Sequence, residues 1–325
     1  MSDLDLLDFL TTVPLLDGLN KADLAELAQV MRRRTFREGE ILWQEGHEAN
    51  GMALILDGKV SVTKRLPSDR TVELAHLGPG EALGEIPLVD GGQHLSTARV
   101  AEPATVLVLS RPEFVALVSR RHRSAFAVKR RVAAVAAAEL RRQLGYLAAS
   151  LGGQAAGGLP ADTTRTFAEL DFCGAPDSKY VRRMASFRTV DSLALWGLLT
   201  AGRYARCPRG HTLVMEGAPA NACYLTINGA VEKVLIRGDR RIRVELAGPG
   251  QAFGYESLVD GSPSPLTAIA RERALLLVLS PESFERLFKG ETDISHVFLD
   301  VINRNLTASL RQVLRGQGRL AVTSV

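Results

Sequence analysis

The sequence predicts a mainly β protein of two tandem copies of one domain, each copy closed by a long helix. Three observations carry this. The second half of the chain repeats the first in register. Within each copy, short apolar runs alternate and are punctuated by glycine. After the last run of each copy, apolar residues fall at helical spacing.

The repeat is read from fixed offsets. Gly39 pairs with Gly210, Gly46 with Gly217 and Gly58 with Gly229, all 171 residues apart. Gly78 pairs with Gly248, Gly84 with Gly254, Asp90 with Asp260 and Phe114 with Phe284, all 170 apart. LVLS at 107–110 recurs at 277–280 with the same offset. A single deletion explains the change of offset: the loop RLPSD of the first copy is IRGD in the second. The period is far longer than a solenoid repeat, so the unit is a whole domain.

Each element then follows in order. MALIL and KVSVTK flank Asp57-Gly58, and CYLTI and AVEKVLI flank Asn228-Gly229. Such dipeptides between alternating runs predict hairpins with type I′ turns, which need positive φ at both central residues. VELAHL and RIRVEL continue the strands, and ATVLVLS and ALLLVLS read as buried strands. The first long helix starts near Arg121, with Val128, Val132, Val135, Leu140, Leu144 and Leu147 on one face. The second repeats Phe298, Ile302, Leu306, Leu310 and Leu314 every four residues. LGGQAAGGLPADTT reads as a flexible linker. The expected organisation is domain A over 1–150, a linker over 151–176 and domain B over 177–325 with a short disordered tail.

Bulk properties exclude several classes. The 325 residues are 46% apolar and 23% charged, ordinary for a soluble globular chain. The net charge of +4 is too mild to argue for nucleic acid. The acidic start MSDLDLLDFL lacks the features of a secretory signal, and no apolar run reaches the roughly 18 residues of a membrane span. Cys173, Cys207 and Cys223 form no CxxC pattern and fit a reducing compartment, so a cytoplasmic protein is expected. The six histidines suggest no metal cluster, and no hydrolase, zincin or nucleotide-triphosphatase motif marks a catalytic site.

The glycine-spaced segments REGEILWQEGHEANGMALILDGKVSV and CPRGHTLVMEGAPANACYLTINGAVEKV, with GPGEALGEIPLVDGG at 78–92 and GPGQAFGYESLVDGS at 248–262, resemble the cyclic-nucleotide-binding domain family. The likeness covers roughly residues 8–148 and 180–316. It implies a jelly-roll β-roll with flanking helices in each copy. The tandem arrangement resembles the regulatory subunit of cAMP-dependent protein kinase more than a catabolite-activator transcription factor.

The resemblance also implies a phosphate cassette: a Gly for close approach, backbone N–H groups of a short helix, a Glu for the ribose 2′-hydroxyl and an Arg for the phosphate. In the first copy Gly84 and Glu85 match the Gly-Glu pair, and Ile86 and Leu88 fall on the short helix. The Arg position falls on Leu95, followed by Ser96 and Thr97. Arg99 lies about 13 Å further along an extended strand and does not substitute. In the second copy Gly254 is kept, Tyr255 replaces the Glu, Pro265 takes the Arg position and Thr267 follows. Glu256 is shifted by one residue and is expected to point elsewhere. Removing one charged partner of a buried phosphate costs about 3–5 kcal/mol, or roughly a hundred- to a few thousand-fold in affinity. Glu85 is read as either a residual ribose contact or a helix cap, and Tyr255 as an aromatic closing the pocket.

These departures predict a non-enzymatic regulatory or adaptor protein with degenerate pockets, acting through protein partners. No cofactor is required, and a cyclic nucleotide is a disfavoured ligand. The alternative is a second-messenger receptor, for cAMP or cGMP weakly in the first copy or for cyclic di-GMP. A DNA-binding regulator ranks lower. The basic run SRRHRSAFAVKRR reads as a solvated helix face, and the ten residues GQGRLAVTSV are too few for a winged helix. VRRMASF at 181–187 reads as a chance match to a kinase pseudosubstrate. The apolar helix stripes need cover, from their own β-rolls or from a homodimer.

Overall fold

The computed structural model describes residues 3–65, 70–150, 170–177, 181–182, 184, 187–188, 190–237 and 240–323. Most of the expected linker, 151–169, the loop over 66–69 and much of VRRMASF lie outside the described residues. The chain folds as two units: residues 1–132 with 315–325, and residues 133–314.

In the first unit, helices α1 (Asp3–Thr11) and α2 (Lys21–Val30) precede the β-roll. Asn20 caps α2 by accepting the Asp23 N–H. The roll comprises β1 (Arg32–Phe36), β2 (Ile41–Trp43), β3 (Gly51–Arg65), β4 (Thr71–Leu77), β5 (Ala82–Leu83) and β6 (Thr97–Ser110). The short helix α3 (Glu85–Asp90) stands between β5 and β6. All pairings are antiparallel in the order β1-β6-β3-β4, with β2 on β6 and β5 on β3. Ala53, Ile55, Val60, Ala98, Val100, Ala104 and Val106 alternate inward to form its core. α4 (Arg111–Ser119) opens on a capping box of Ser110 and Glu113, and α5 (Arg123–Ser150) follows.

In the second unit, β7 (Asp171–Cys173), α6 (Ser192–Thr200), β8 (Arg203–Cys207), β9 (Thr212–Val214), β10 (Cys223–Asn228), β11 (Val231–Arg237), β12 (Arg240–Ala247) and β13 (Ala252–Phe253) lead to the short helix α7 (Glu256–Asp260). β14 (Thr267–Ala270), β15 (Ala274–Leu279), α8 (Pro281–Lys289) and α9 (Asp293–Thr323) complete it. One sheet runs β13-β10-β15-β8-β7 and the other β12-β11-β14-β9.

Four expectations change. The Asp-Gly and Asn-Gly sites are not hairpins. β3 runs straight through Asp57-Gly58, with both of its halves paired to β6. β10 and β11 belong to different sheets. The first site is an irregularity within one strand, with register shifts on either side of Asp57, the second is a corner between two sheets, and at each only the glycine has positive φ. A Cβ on Gly58 would lie 2.2 Å from the Pro103 carbonyl oxygen, and one on Gly229 would lie 2.5 Å from that of Arg273. Close backbone approach, not turn type, therefore demands glycine there. Second, Asp171–Cys173, expected in the linker, is strand β7 paired with β8.

Third, the expected disordered tail is helical, since α9 continues to Thr323. Fourth, the basic run is not a uniform solvated face: Lys129 is buried. The apolar stripes have cover within one chain. Val128, Val132, Leu140, Leu144 and Leu147 on α5, and Phe298, Ile302, Leu306 and Leu310 on α9, are all buried.

Candidate functional site

In the first unit β5 delivers the chain to Gly84, whose φ of +78° allows the turn into α3. A Cβ there would meet the Trp43 ring at 3.0 Å and the Gly51 carbonyl oxygen at 3.1 Å, so the glycine lets the backbone lie against the indole. Glu85 is the first residue of α3 and is half-buried, while Gly84 holds the cap position. Ile86 and Leu88 are buried beneath the helix. Arg111 holds the other end of α3 by donating to the Leu88 carbonyl at 2.8 Å.

Leu95 and Ser96 lie half-buried just before β6. Thr97, at the start of β6, accepts the Glu45 N–H at 3.1 Å and so braces the turn after β2. His94 stacks on Trp43, with centroids 4.7 Å apart and planes within 5°. Arg99 is exposed and donates to the Gly39 carbonyl at 2.6 Å, away from the cassette turn.

The second unit repeats the turn. Gly254 has φ +75°, and a Cβ there would lie 3.0 Å from Val214, the counterpart of Trp43. Thr267 is buried and accepts the Glu216 N–H at 3.1 Å, as Thr97 does for Glu45. Pro265 is half-buried. Around this shared frame the chemistry differs.

Tyr255 is fully buried at the cap of α7, and its hydroxyl has no hydrogen-bond partner among the described residues. Glu256 does not point elsewhere. It turns inward with 3% of its side chain exposed and meets the Lys233 ammonium at 2.9 Å. Lys233, on β11 and 3% exposed, also contacts Glu245 of β12 at 3.0 Å. Ser309 of α9 bridges the two, receiving from Lys233 at 3.3 Å and donating to Glu245. The Tyr255 ring centroid lies 5.7 Å from the same ammonium.

Electrostatics favour the charged form of Lys233. Desolvation alone would lower the Lys233 pKa, but the carboxylates of Glu245 and Glu256 outweigh it and hold the pKa well above the usual lysine value. Burial pushes the Tyr255 phenol well above its usual value, and Lys233 only partly opposes this. A second link ties α9 to the turn: Asn305 Oδ1 accepts the Ala252 N–H at 3.3 Å. The far end of α7 is held by Arg141 of α5, whose guanidinium contacts both oxygens of Asp260 at 3.0 Å and donates to the Pro263 carbonyl.

Lys233, Glu245, Ser309 and Asn305 were not singled out from the sequence. The signal for the first two was present in the repeat. Lys233 and Glu245 pair across β11 and β12 where the first copy pairs Val62 with Ala75 across β3 and β4. Two charges at inward positions of alternating strands mark a buried ion pair. Ser309 and Asn305 carry no such mark, because only packing tells which helical face meets the roll.

The chain is similar to known proteins over part or most of its length. The model of the family described as "Cyclic nucleotide-binding domain" matches residues 33–121 and 205–291, just over half of the chain. A "Cyclic AMP receptor protein" of Thermus thermophilus is 30% identical over 107 residues, covering 33% of this chain and 50% of the relative. A putative potassium channel protein of Rhodopseudomonas palustris is 27% identical over 143 residues, covering 44% of this chain and 33% of the relative. The chain thus spans half or less of these relatives. A solved structure of the regulatory domain of Toxoplasma gondii PKA with cAMP is 17% identical, covers 90% of this chain and 95% of its own, and has a TM-score of 0.35. No helix among the described residues is long and apolar enough to cross a membrane. With two matched regions, one in each copy, the chain belongs to the cyclic nucleotide-binding domain family.

Proposed function

We propose that the chain is a non-enzymatic regulatory protein of the cytoplasm that acts by binding another protein, and that its second cassette is closed by its own side chains rather than by a nucleotide. The carrying observation is the buried Lys233–Glu245–Glu256–Ser309 network beneath α7 and against α9. A phosphate brought into that site would face two carboxylates, with the available cation already paired. Desolvation and like charge both oppose it. Ser309 and Asn305 meanwhile fasten α9 to the roll without any ligand. In the first copy Leu95 takes the position of the phosphate-pairing Arg and offers no charge. The proposed output is a fixed surface for a protein partner; neither nucleic acid nor membrane is part of this reading.

A second reading rests on Gly84 and Glu85, which keep the turn and the carboxylate of a nucleotide site. It makes the first copy a weak cAMP or cGMP receptor, or a receptor for cyclic di-GMP. Calorimetry with cAMP, cGMP and cyclic di-GMP separates the two. The proposal expects no saturable heat from any of them. Micromolar binding that survives Tyr255→Ala and is lost with Glu85→Ala would establish the second reading instead.

A further inference from the structure

The first β-roll contains a hollow that the second does not need. It has a volume of about 530 Å³, within the range of small-molecule sites. Its apolar wall is formed by Phe36, Leu42, Trp43 and Val108, all only half-buried. Of the cassette segment, 84–97, only His94 is in its lining; Trp43 and Gly51 of the lining lie against Gly84, so the hollow adjoins the cassette turn but is not lined by Gly84, Glu85 or Leu95.

The repeat shows that the fold does not require this space. Ala53 lines the hollow; it pairs with Leu83 on one side and Val108 on the other. Its counterpart Tyr224 pairs with Phe253 and Val278 in the same register. The Tyr224 ring is 1% exposed, stacks on Phe253 at 5.0 Å and belongs to the core of the second roll. The edge also differs. β7 pairs along β8 in the second unit, and Leu170 and Phe172 pack into that core. The corresponding β1 ends the strand order of the first sheet, with no strand beyond it among the described residues. One copy is filled with aromatic bulk and capped by a strand; the other stays hollow and open-edged.

The rim supplies polarity. Arg34 lies on the exposed part of β1, directly after Arg32 and Arg33. Arg32 is partly offset by Glu113 at 3.5 Å, whereas no ion pair engages Arg34 among the described residues. His47 and Gln44 add hydrogen-bonding groups, and Glu48 is the carboxylate in the lining. A flat ring lying along the Trp43–His94 stack would cover apolar wall and leave an acidic substituent facing Arg34.

We infer that the interior of the first β-roll is a binding site for a planar, one- or two-ring aromatic molecule carrying an anionic group, held by Phe36, Trp43 and Val108 and oriented by Arg34. Gly84, Glu85 and Leu95 do not line the site, so its probes and variants differ from those that test the cassettes.

The test is calorimetry of the full chain with 2-naphthoate and, as the neutral counterpart, 2-naphthalenemethanol. One saturable site is expected for the naphthoate. Ala53→Tyr, which copies the filler of the second roll, is expected to weaken both probes by roughly tenfold or more while thermal unfolding stays at or above that of the parent. If that variant misfolds, Ala53→Met makes the same occlusion with a more adaptable side chain. Arg34→Gln is expected to weaken the naphthoate roughly two- to fivefold and leave the alcohol unchanged. Absence of saturable binding overturns the site, as does binding indifferent to the occluding variant. Equal effects of Arg34→Gln on both probes overturn the anionic class.

Discussion

Replacing Lys233 with Met removes the cation from the interior of the second unit and leaves Glu245 and Glu256 facing each other without a counter-charge. The ammonium lies 3.0 and 2.9 Å from those two carboxylates, and all three side chains are 7% exposed or less. Breaking a buried ion pair by deleting one partner costs about 3–5 kcal/mol, because the charge left behind keeps its desolvation penalty. For a unit of this size that corresponds to a fall in Tm of roughly 6–20 °C. Differential scanning calorimetry of the full chain, followed as two transitions, reads the effect on the second unit alone. The triple change Lys233→Met, Glu245→Leu and Glu256→Leu should recover most of the loss, since apolar side chains of similar size replace buried ion pairs at little or no cost. An unaltered transition in the single variant would mean that the network is not buried. A triple variant as unstable as the single one would mean that the loss came from packing and not from charge.

Tyr255→Phe deletes a buried hydroxyl with no partner among the described residues, and should stabilise the second unit by about 1–3 kcal/mol, read from its urea midpoint. Alkaline titration tests the raised pKa of Lys233. A lysine whose folded pKa exceeds its unfolded value of 10.5 contributes stability in full below that value and loses it as pH rises through the folded pKa. The Tm of the second unit should therefore hold from pH 7 to about 10 and fall above it, and Lys233→Met should lack that Lys-dependent fall. Leu95→Arg puts a cation at the position where the family resemblance expects the phosphate partner, and should give saturable cAMP binding by calorimetry where the parent gives none. No gain would show that the missing charge is not what excludes the nucleotide.

Much of the fold was legible because repetition and periodicity are local properties. The offsets of 171 and 170 residues gave two copies, and the strands read from MALIL, VELAHL and ATVLVLS correspond to β3, β4 and β6. The hairpins read at Asp57-Gly58 and Asn228-Gly229 failed because a dipeptide reports a need for positive φ, not which strands pair across it. The site was half legible. Gly84 and Gly254, with their tight approach to residues 43 and 214, were found from the motif. The inward turn of Glu256 was missed, since a one-residue shift at the start of a short helix looked like a change of face. Its direction is decided by Lys233, on a strand more than twenty residues earlier.

By itself the sequence determined the two β-rolls and the turn glycines, because each depends on residue type at a fixed spacing. Only the tertiary structure decided what fills each interior: an ion network around Lys233 and a Tyr224 ring in the second roll, and a 530 Å³ hollow beside Ala53 in the first. Burial and charge pairing arise between residues far apart in the chain. One motif can therefore fold to the same turn twice and enclose different chemistry each time.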